Sequence, residues 1–208
     1  MEQLITKLKF ELQKPLPGAL AQYFMAPDGR KNTAIKSLKT GQYKQSAVLI
    51  VFCMDANNEL FIPLIERVAY KGVHSAQISF PGGKYEQSDG NLERTAMREC
   101  FEEIGLSGVE VIGKLTHLFI PVSSFLVEPY VAFCKISNPG IVIQEREVKS
   151  ALKLGINQLL DENSLKYGTI EAEDYKIKTP YFLVGGNKIW GATAMILNEL
   201  KVMLKTIL

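Results

Sequence analysis

Eight residues, Arg98 to Gly105, read RECFEEIG and place three glutamates, Glu99, Glu102 and Glu103, within five positions of a stretch with helical periodicity. At roughly 100° of rotation per residue the three side chains project into an arc about 100° wide. Like charges then crowd one flank and destabilise the bare helix. Two carboxylates ~4 Å apart repel by about 1 kcal/mol in water and about 4 kcal/mol at an effective dielectric near 20. A solvated helix face gains from Glu and Lys four residues apart, but here Glu99 is followed at that spacing by Glu103, and Arg98 is the one cation close in sequence. The arrangement asks for compensation, and a hard divalent cation that takes oxygen ligands supplies it.

The flanking residues say where this helix lies. Leu92, Ala96, Cys100 and Ile104 form one apolar row, extended by Met97 and Phe101, with the glutamates at its edge and beyond. A helix from about Leu92 to Ile104 therefore lies on a core with its carboxylates along one flank, and Gly105 can close it in a left-handed conformation. Ahead of it runs SFPGGKYEQSDGN, a loop in which FPGGK can approach the helix closely and offer carbonyls or N–H groups to a metal or phosphate.

The rest of the chain reads as short elements. Leu4, Ile5, Leu8 and Leu12 predict a helix over 2–13, stopped by PLPG. SAVLIVFCM (46–54), the turn DANNE and LFIPLIER predict a hairpin, and 113–120 with 128–136 a second strand pair. Residues 148–160 and 192–207 read as two further helices, with no repeat, low-complexity tract or linker.

A chain of 208 residues, 47% hydrophobic and 22% charged, can bury a core as one domain. Its net charge of +2, with Lys and Arg spread along the sequence, gives no basic stripe for a nucleic-acid backbone. Cys53, Cys100 and Cys134 are odd in number and each lies in an apolar run, so buried free thiols are expected. The start, MEQLITKLKFELQKPLPG, lacks an apolar stretch of secretory length, and no segment reaches a membrane span. The expectation is a cytoplasmic protein.

The order Gly83, Asp89, Arg98, Glu99, Glu102, Glu103, Gly105, Leu106 resembles the Nudix box, in which Gly, five residues, Glu and seven residues precede R-E-U-x-E-E-x-G-U, U being bulky and apolar. Asp89 stands where Glu is usual, eight residues rather than seven precede Arg98, and Cys100 takes the first U. HSAQISFPGG (74–83), KIWGATAMIL (188–197), PLPG with the following MAP (25–27) and TPYF near 180 are similar to segments of the coenzyme A pyrophosphatase branch. That branch's signature, L-L-T-x-R-[SA]-x3-R-x3-G-x3-F-P-G-G, is matched at Arg67, Phe80, Pro81, Gly82 and Gly83 and departs at Ile65, Val68, Gly72 and Ala76.

The resemblance implies an α/β/α sandwich around a mixed sheet, spanning 1–208 as a single domain with an N-terminal helical extension over about 1–45. It implies hydrolysis, with Mg²⁺ or Mn²⁺, of the diphosphate of coenzyme A or an acyl derivative. The alternatives are ADP-ribose, a dinucleotide or a nucleotide sugar as substrate, or a non-catalytic nucleotide-binding domain. Its partner would be a small nucleoside diphosphate, with no nucleic acid and no membrane, and a homodimer is left open. Glu99 and Glu103, with Glu102 and the Gly83 carbonyl, are the expected metal ligands; Glu102 is base or third ligand, and Arg98 orients a glutamate. Arg67, Lys71, Phe80, Gly82 and Gly83 are the expected substrate contacts. Lys71 is the nearest substitute for the signature arginine that Gly72 replaces. Glu147 and His74 are secondary candidates, Trp190 is read as packing with base stacking as the lesser alternative, and His117 is read as structural.

Overall fold

The computed structural model describes residues 2–28, 30, 43–68, 77–172 and 175–208. Two N-terminal helices, α1 (Glu2–Glu11) and α2 (Gly18–Phe24), precede β1 (Lys44–Met54) and β2 (Leu60–Arg67). Short strands β3 (Ile78–Ser79) and β4 (Gly82–Lys84) then lead into α3 (Leu92–Ile104). β5 (Val109–Lys114), β6 (Leu118–Ile120), β7 (Phe125–Cys134) and β8 (Val148–Gly155) follow, then the short α4 (Ile156–Leu160). β9 (Leu165–Ala172), β10 (Tyr175–Val184) and β11 (Asn187–Trp190) form a second, antiparallel sheet, and α5 (Gly191–Ile207) ends the chain.

Among the described residues the main sheet has eight strands and is mixed because β1 runs parallel to β7, Lys44 facing Phe125 through Phe52 facing Phe133, while its other pairings are antiparallel. A central strand covered on both faces must be apolar on both, and AVLIVFC of β1 meets that demand. Ala47, Leu49, Val51 and Cys53 face Ala96, Cys100 and Ile104 of α3, whereas Ile50 and Phe52 join Leu4 and Leu8 of α1 and Met195, Leu200 and Leu204 of α5. Helices thus cover both faces, giving the expected sandwich. Cys53, Cys100 and Cys134 meet under α3 as free, buried thiols; burial pushes the Cys100 thiol up to about 12, so it is inert near neutral pH.

The predicted hairpin is present, with Cys53 opposite Phe61 and Met54 opposite Leu60 across a turn in which Asp55 Oδ1 accepts from Asn57 and Glu59 N–H. The segment 113–120 divides into the end of β5 and β6, both antiparallel to β7. The expected helix over 148–160 is corrected: Val148–Gly155 is a strand paired with β2, and only Ile156–Leu160 is helical. Val148, Ser150, Leu152 and Leu154 turn inward while Lys149, Ala151 and Lys153 stay exposed, a period of two rather than 3.6.

Candidate active site

The glutamate helix is fixed at both ends. Asn91 caps it, its side chain accepting from Arg94 N–H at 2.9 Å, and Gly105 closes it at φ 66° with its N–H on the Phe101 carbonyl. Of the apolar row, Ala96, Cys100 and Ile104 are buried, Leu92 and Met97 are half-buried, and Phe101 is exposed. Rotation about the axis then grades the carboxylates: Glu103 is 1% exposed, the Glu99 side chain 15% and the Glu102 side chain 55%.

Two arginines answer the like-charge crowding, where the sequence shows one. Arg98 binds Asp89 through Nε at 2.7 Å and Nη2 at 3.1 Å, Glu102 through Nη1 at 2.8 Å and the Lys84 carbonyl through Nη2 at 3.3 Å, and pairs with Glu99 at 3.0 Å. Asp89 also accepts from Thr95 Oγ1 and Glu86 N–H, and the Arg98 guanidinium holds its carboxyl well below the usual carboxylate range. The Asp that departs from the box is thus the anchor of the arginine. The second cation is Arg67, at the end of β2. It donates to the Gly82 carbonyl at 2.6 Å and stands 3.0 Å from Glu103 Oε1.

Glu103 Oε2 accepts the Gly82 N–H at 2.8 Å, but Oε1 is buried and accepts no hydrogen bond, because Arg67 lies at ion-pair distance without being aligned to donate. Burial pushes the Glu103 carboxyl up to about 7; Arg67 and the Gly82 N–H oppose the rise, and Glu99 and Glu147 add to it. Burial likewise raises Glu99 against the pull of Arg98. The loop meets the helix at two glycines. A Cβ on Gly82, at φ 154°, would stand 2.4 Å from the Ala47 carbonyl oxygen, and one on Gly83 would stand 2.4 Å from the Glu99 carboxylate.

These groups open onto a cavity of about 830 Å³ whose wall includes Arg67, Phe80, Gly82, Gly83 and Glu99. Glu102 and Glu103 are not in that wall: Glu102 faces solvent and Glu103 lies behind Gly82. Glu147 is exposed, acts on Glu103 through charge alone and gives its backbone carbonyl to Val68 N–H. Trp190, read as packing, forms part of the wall, and His117 is exposed. Lys71 and His74 lie outside the described residues. Sequence reading missed the Arg67–Glu103 pair, which joins residues 36 positions apart, and Arg30 in the wall.

Among the described residues no three Asp, Glu, His or Cys side chains are gathered as a ready metal site, since arginines engage the carboxylates. The donor set nevertheless fits a hard divalent cation: all are oxygens, two carboxyls are desolvated with raised pKa, and Glu103 Oε1 is buried without a donor.

A consequence for stability follows. Because the folded pKa of Glu103 lies above its ordinary 4.5, its neutral form favours the fold; that contribution is full below 4.5 and is lost as pH rises through about 7. At alkaline pH the cost is on the order of 3 kcal/mol, or roughly 6 to 12 °C in Tm for a chain of this size. In chelator-treated protein, Glu103→Gln is expected to melt higher than wild type at pH 8 and to flatten the pH profile between 4.5 and 7. Parallel profiles for the two proteins would contradict it.

A mixed sheet between helices, with one helix presenting carboxylates against a glycine turn, defines the class. Residues 43–167, more than half of the chain, match the NUDIX domain model, and the chain belongs to the Nudix family. It is 27% identical over 154 residues to the mitochondrial coenzyme A diphosphatase of Homo sapiens, covering 73% of this chain and 65% of that protein. It is 34% identical over 167 residues to Nudix hydrolase 15, mitochondrial, of Arabidopsis thaliana, covering 74% of this chain and 56% of that protein. The chain therefore spans less than two thirds of either relative. The crystal structure of the Nudix hydrolase RenU from M. smegmatis superposes with TM-score 0.52 at 15% identity, covering 79% of this chain and 88% of that one, a likeness of fold. No helix among the described residues is long and apolar enough to cross a membrane.

Proposed function

We propose that the protein hydrolyses the diphosphate linkage of coenzyme A or acyl-coenzyme A, giving 4′-phosphopantetheine or its acyl form and adenosine 3′,5′-bisphosphate. The observation that carries this reading is the cavity: Glu99 and Gly83 stand in its wall together with charged side chains such as Arg67 and Lys84, and apolar side chains such as Val48, Ile120, Phe125 and Ile196 line another part of it. Such a chamber suits a diphosphate bearing a long organic arm. The named activity of the human relative supports it.

Glu99 and Glu103, with the Gly83 carbonyl, would hold Mg²⁺ or Mn²⁺. When bound, the cation polarises the diphosphate oxygens and lowers the pKa of a coordinated water. The chain's own part is placement. Arg67 ties the Gly82 carbonyl to Glu103, so the glycine turn and the helix keep one spacing. Arg98 is a positioning residue, since Asp89, Glu99, Glu102 and the Lys84 carbonyl occupy its guanidinium. Gly83 brings the backbone against Glu99, where any side chain would displace the carboxylate. Glu102, exposed to solvent and held by Arg98 at 2.8 Å, would serve as the base or as a third ligand.

Gly83→Ala is accordingly expected to lower kcat more than tenfold with little change in Tm, measured by steady-state kinetics and thermal melting; unchanged kcat would remove the contact from the account. The substrate reading is tested by kcat/KM for coenzyme A, an acyl-coenzyme A and ADP-ribose with Mg²⁺ or Mn²⁺. The coenzyme A compounds are expected to be preferred. ADP-ribose better than both by tenfold or more would overturn the reading.

A further inference from the structure

Arg30 carries a charge to which the chemistry above gives no task. It follows α2, its backbone N–H on the Pro27 carbonyl, and its Nη2 donates to the Phe119 carbonyl of β6 at 3.1 Å. Its Nε is buried and has no hydrogen-bond partner among the described residues. Among the described residues no carboxylate stands within ion-pair distance; Asp28, two positions earlier, accepts from the Tyr167 hydroxyl instead. Burial lowers its pKa, which Tyr23 opposes, as for a cation held out of water without a counter-charge. Arg30 lines the same cavity as Glu99 and Gly83.

The strands give the separation. Phe119 on β6 pairs with β7, β7 with β1, and β1 with β4, which carries Gly83. Three intervals of about 4.8 Å put the two ends roughly 14 Å apart across a floor that includes Val48 and Val127. One diphosphate group is too short to touch both ends. A ligand with a second phosphate, separated from the reacting diphosphate by a sugar, has the span, and a guanidinium without a carboxylate partner is a donor suited to a phosphomonoester.

We propose that Arg30, in the cavity wall across the sheet from Gly83 and with no carboxylate partner among the described residues, binds a phosphomonoester on the nucleoside of the substrate, which in coenzyme A is the 3′-phosphate. The identity of that phosphate rests on the coenzyme A reading, while the preference for a doubly phosphorylated nucleoside does not.

The test measures binding of adenosine 3′,5′-bisphosphate and adenosine 5′-monophosphate by calorimetry, and kcat/KM for coenzyme A and 3′-dephospho-coenzyme A, in wild type, Arg30→Ala, Arg30→Gln and Arg30→Lys. Wild type is expected to prefer the 3′-phosphorylated member of each pair. Arg30→Ala should reduce that preference by roughly 10- to 150-fold, as for a lost charge-assisted hydrogen bond, acting through KM with kcat for the dephospho compound retained. Arg30→Gln, which keeps a donor for Phe119 without the charge, should behave like Ala even if Ala folds poorly, and Arg30→Lys should restore part of the preference. Equal losses for both members of a pair, or an unchanged ratio in Arg30→Ala and Arg30→Gln, would overturn the proposal. If wild type discriminates the nucleotides through Arg30 yet turns over neither coenzyme, the coenzyme A reading fails and the role of Arg30 stands.

Discussion

Glu103→Gln and Glu99→Gln are each expected to lose on the order of 10²-fold or more in kcat, and chelator to abolish turnover in wild type. Glutamine keeps the shape of both side chains, and at Glu103 it keeps an acceptor for the Gly82 N–H, so the loss reports the missing charge rather than a broken turn. The two carboxylates are the ones withdrawn from water, and Glu103 Oε1 is the oxygen left without a donor. Folding tolerates that arrangement at a cost, which a site built for a cation recovers on binding. Steady-state kinetics across a Mg²⁺ and a Mn²⁺ titration give the comparison. Undiminished turnover in both variants would remove the metal assignment.

The second large effect is on stability and lies far from the carboxylates. Glu199, in α5 and fully buried, accepts from Gly18 N–H at 3.0 Å, Gln22 Nε2 at 2.8 Å, Thr116 N–H at 3.3 Å and Thr116 Oγ1 at 2.7 Å. One carboxylate thus joins α2, the segment between β5 and β6, and the C-terminal helix. Glu199→Ala strands those donors in the core and is expected to cost about 3 to 5 kcal/mol, or roughly 6 to 20 °C in Tm. Glu199→Gln, which keeps one acceptor, should cost less. Thermal melting of both variants checks this, and a shift under 2 °C in Glu199→Ala would show that the network is not holding these segments.

Local chemistry decided what could be read from residues alone. The helix Leu92–Ile104 was legible to its ends because a 3.6-residue apolar row runs between a capping asparagine and a left-handed glycine. The segment 148–155 was misread because V-x-S-x-L-x-L carries apolar residues at spacings that a helix shares, and its strand period depends on pairing with β2. The second sheet was passed over although Val184, Gly185, Gly186 and Asn187 form a two-glycine turn between strand-like runs, a hairpin signal present in the sequence. The carboxylates could be named in advance, but not what neutralises them. Arg67 reaches Glu103 only because β2, β4 and α3 fold together, and Asp89 takes Arg98 through a turn whose geometry no spacing reveals. Arg30 enters the cavity through β6, a contact 89 positions away in sequence.

The central claim is that these carboxylates serve the cleavage of a diphosphate in coenzyme A. It is tested most directly by incubating the protein with coenzyme A and Mg²⁺ or Mn²⁺ and identifying the products by mass. The account predicts 4′-phosphopantetheine and adenosine 3′,5′-bisphosphate in equal amounts, absent with chelator and reduced at least 10²-fold in Glu103→Gln, as expected for loss of a metal ligand. Intact coenzyme A under all metal conditions, or the same products formed undiminished in the presence of chelator, would contradict it.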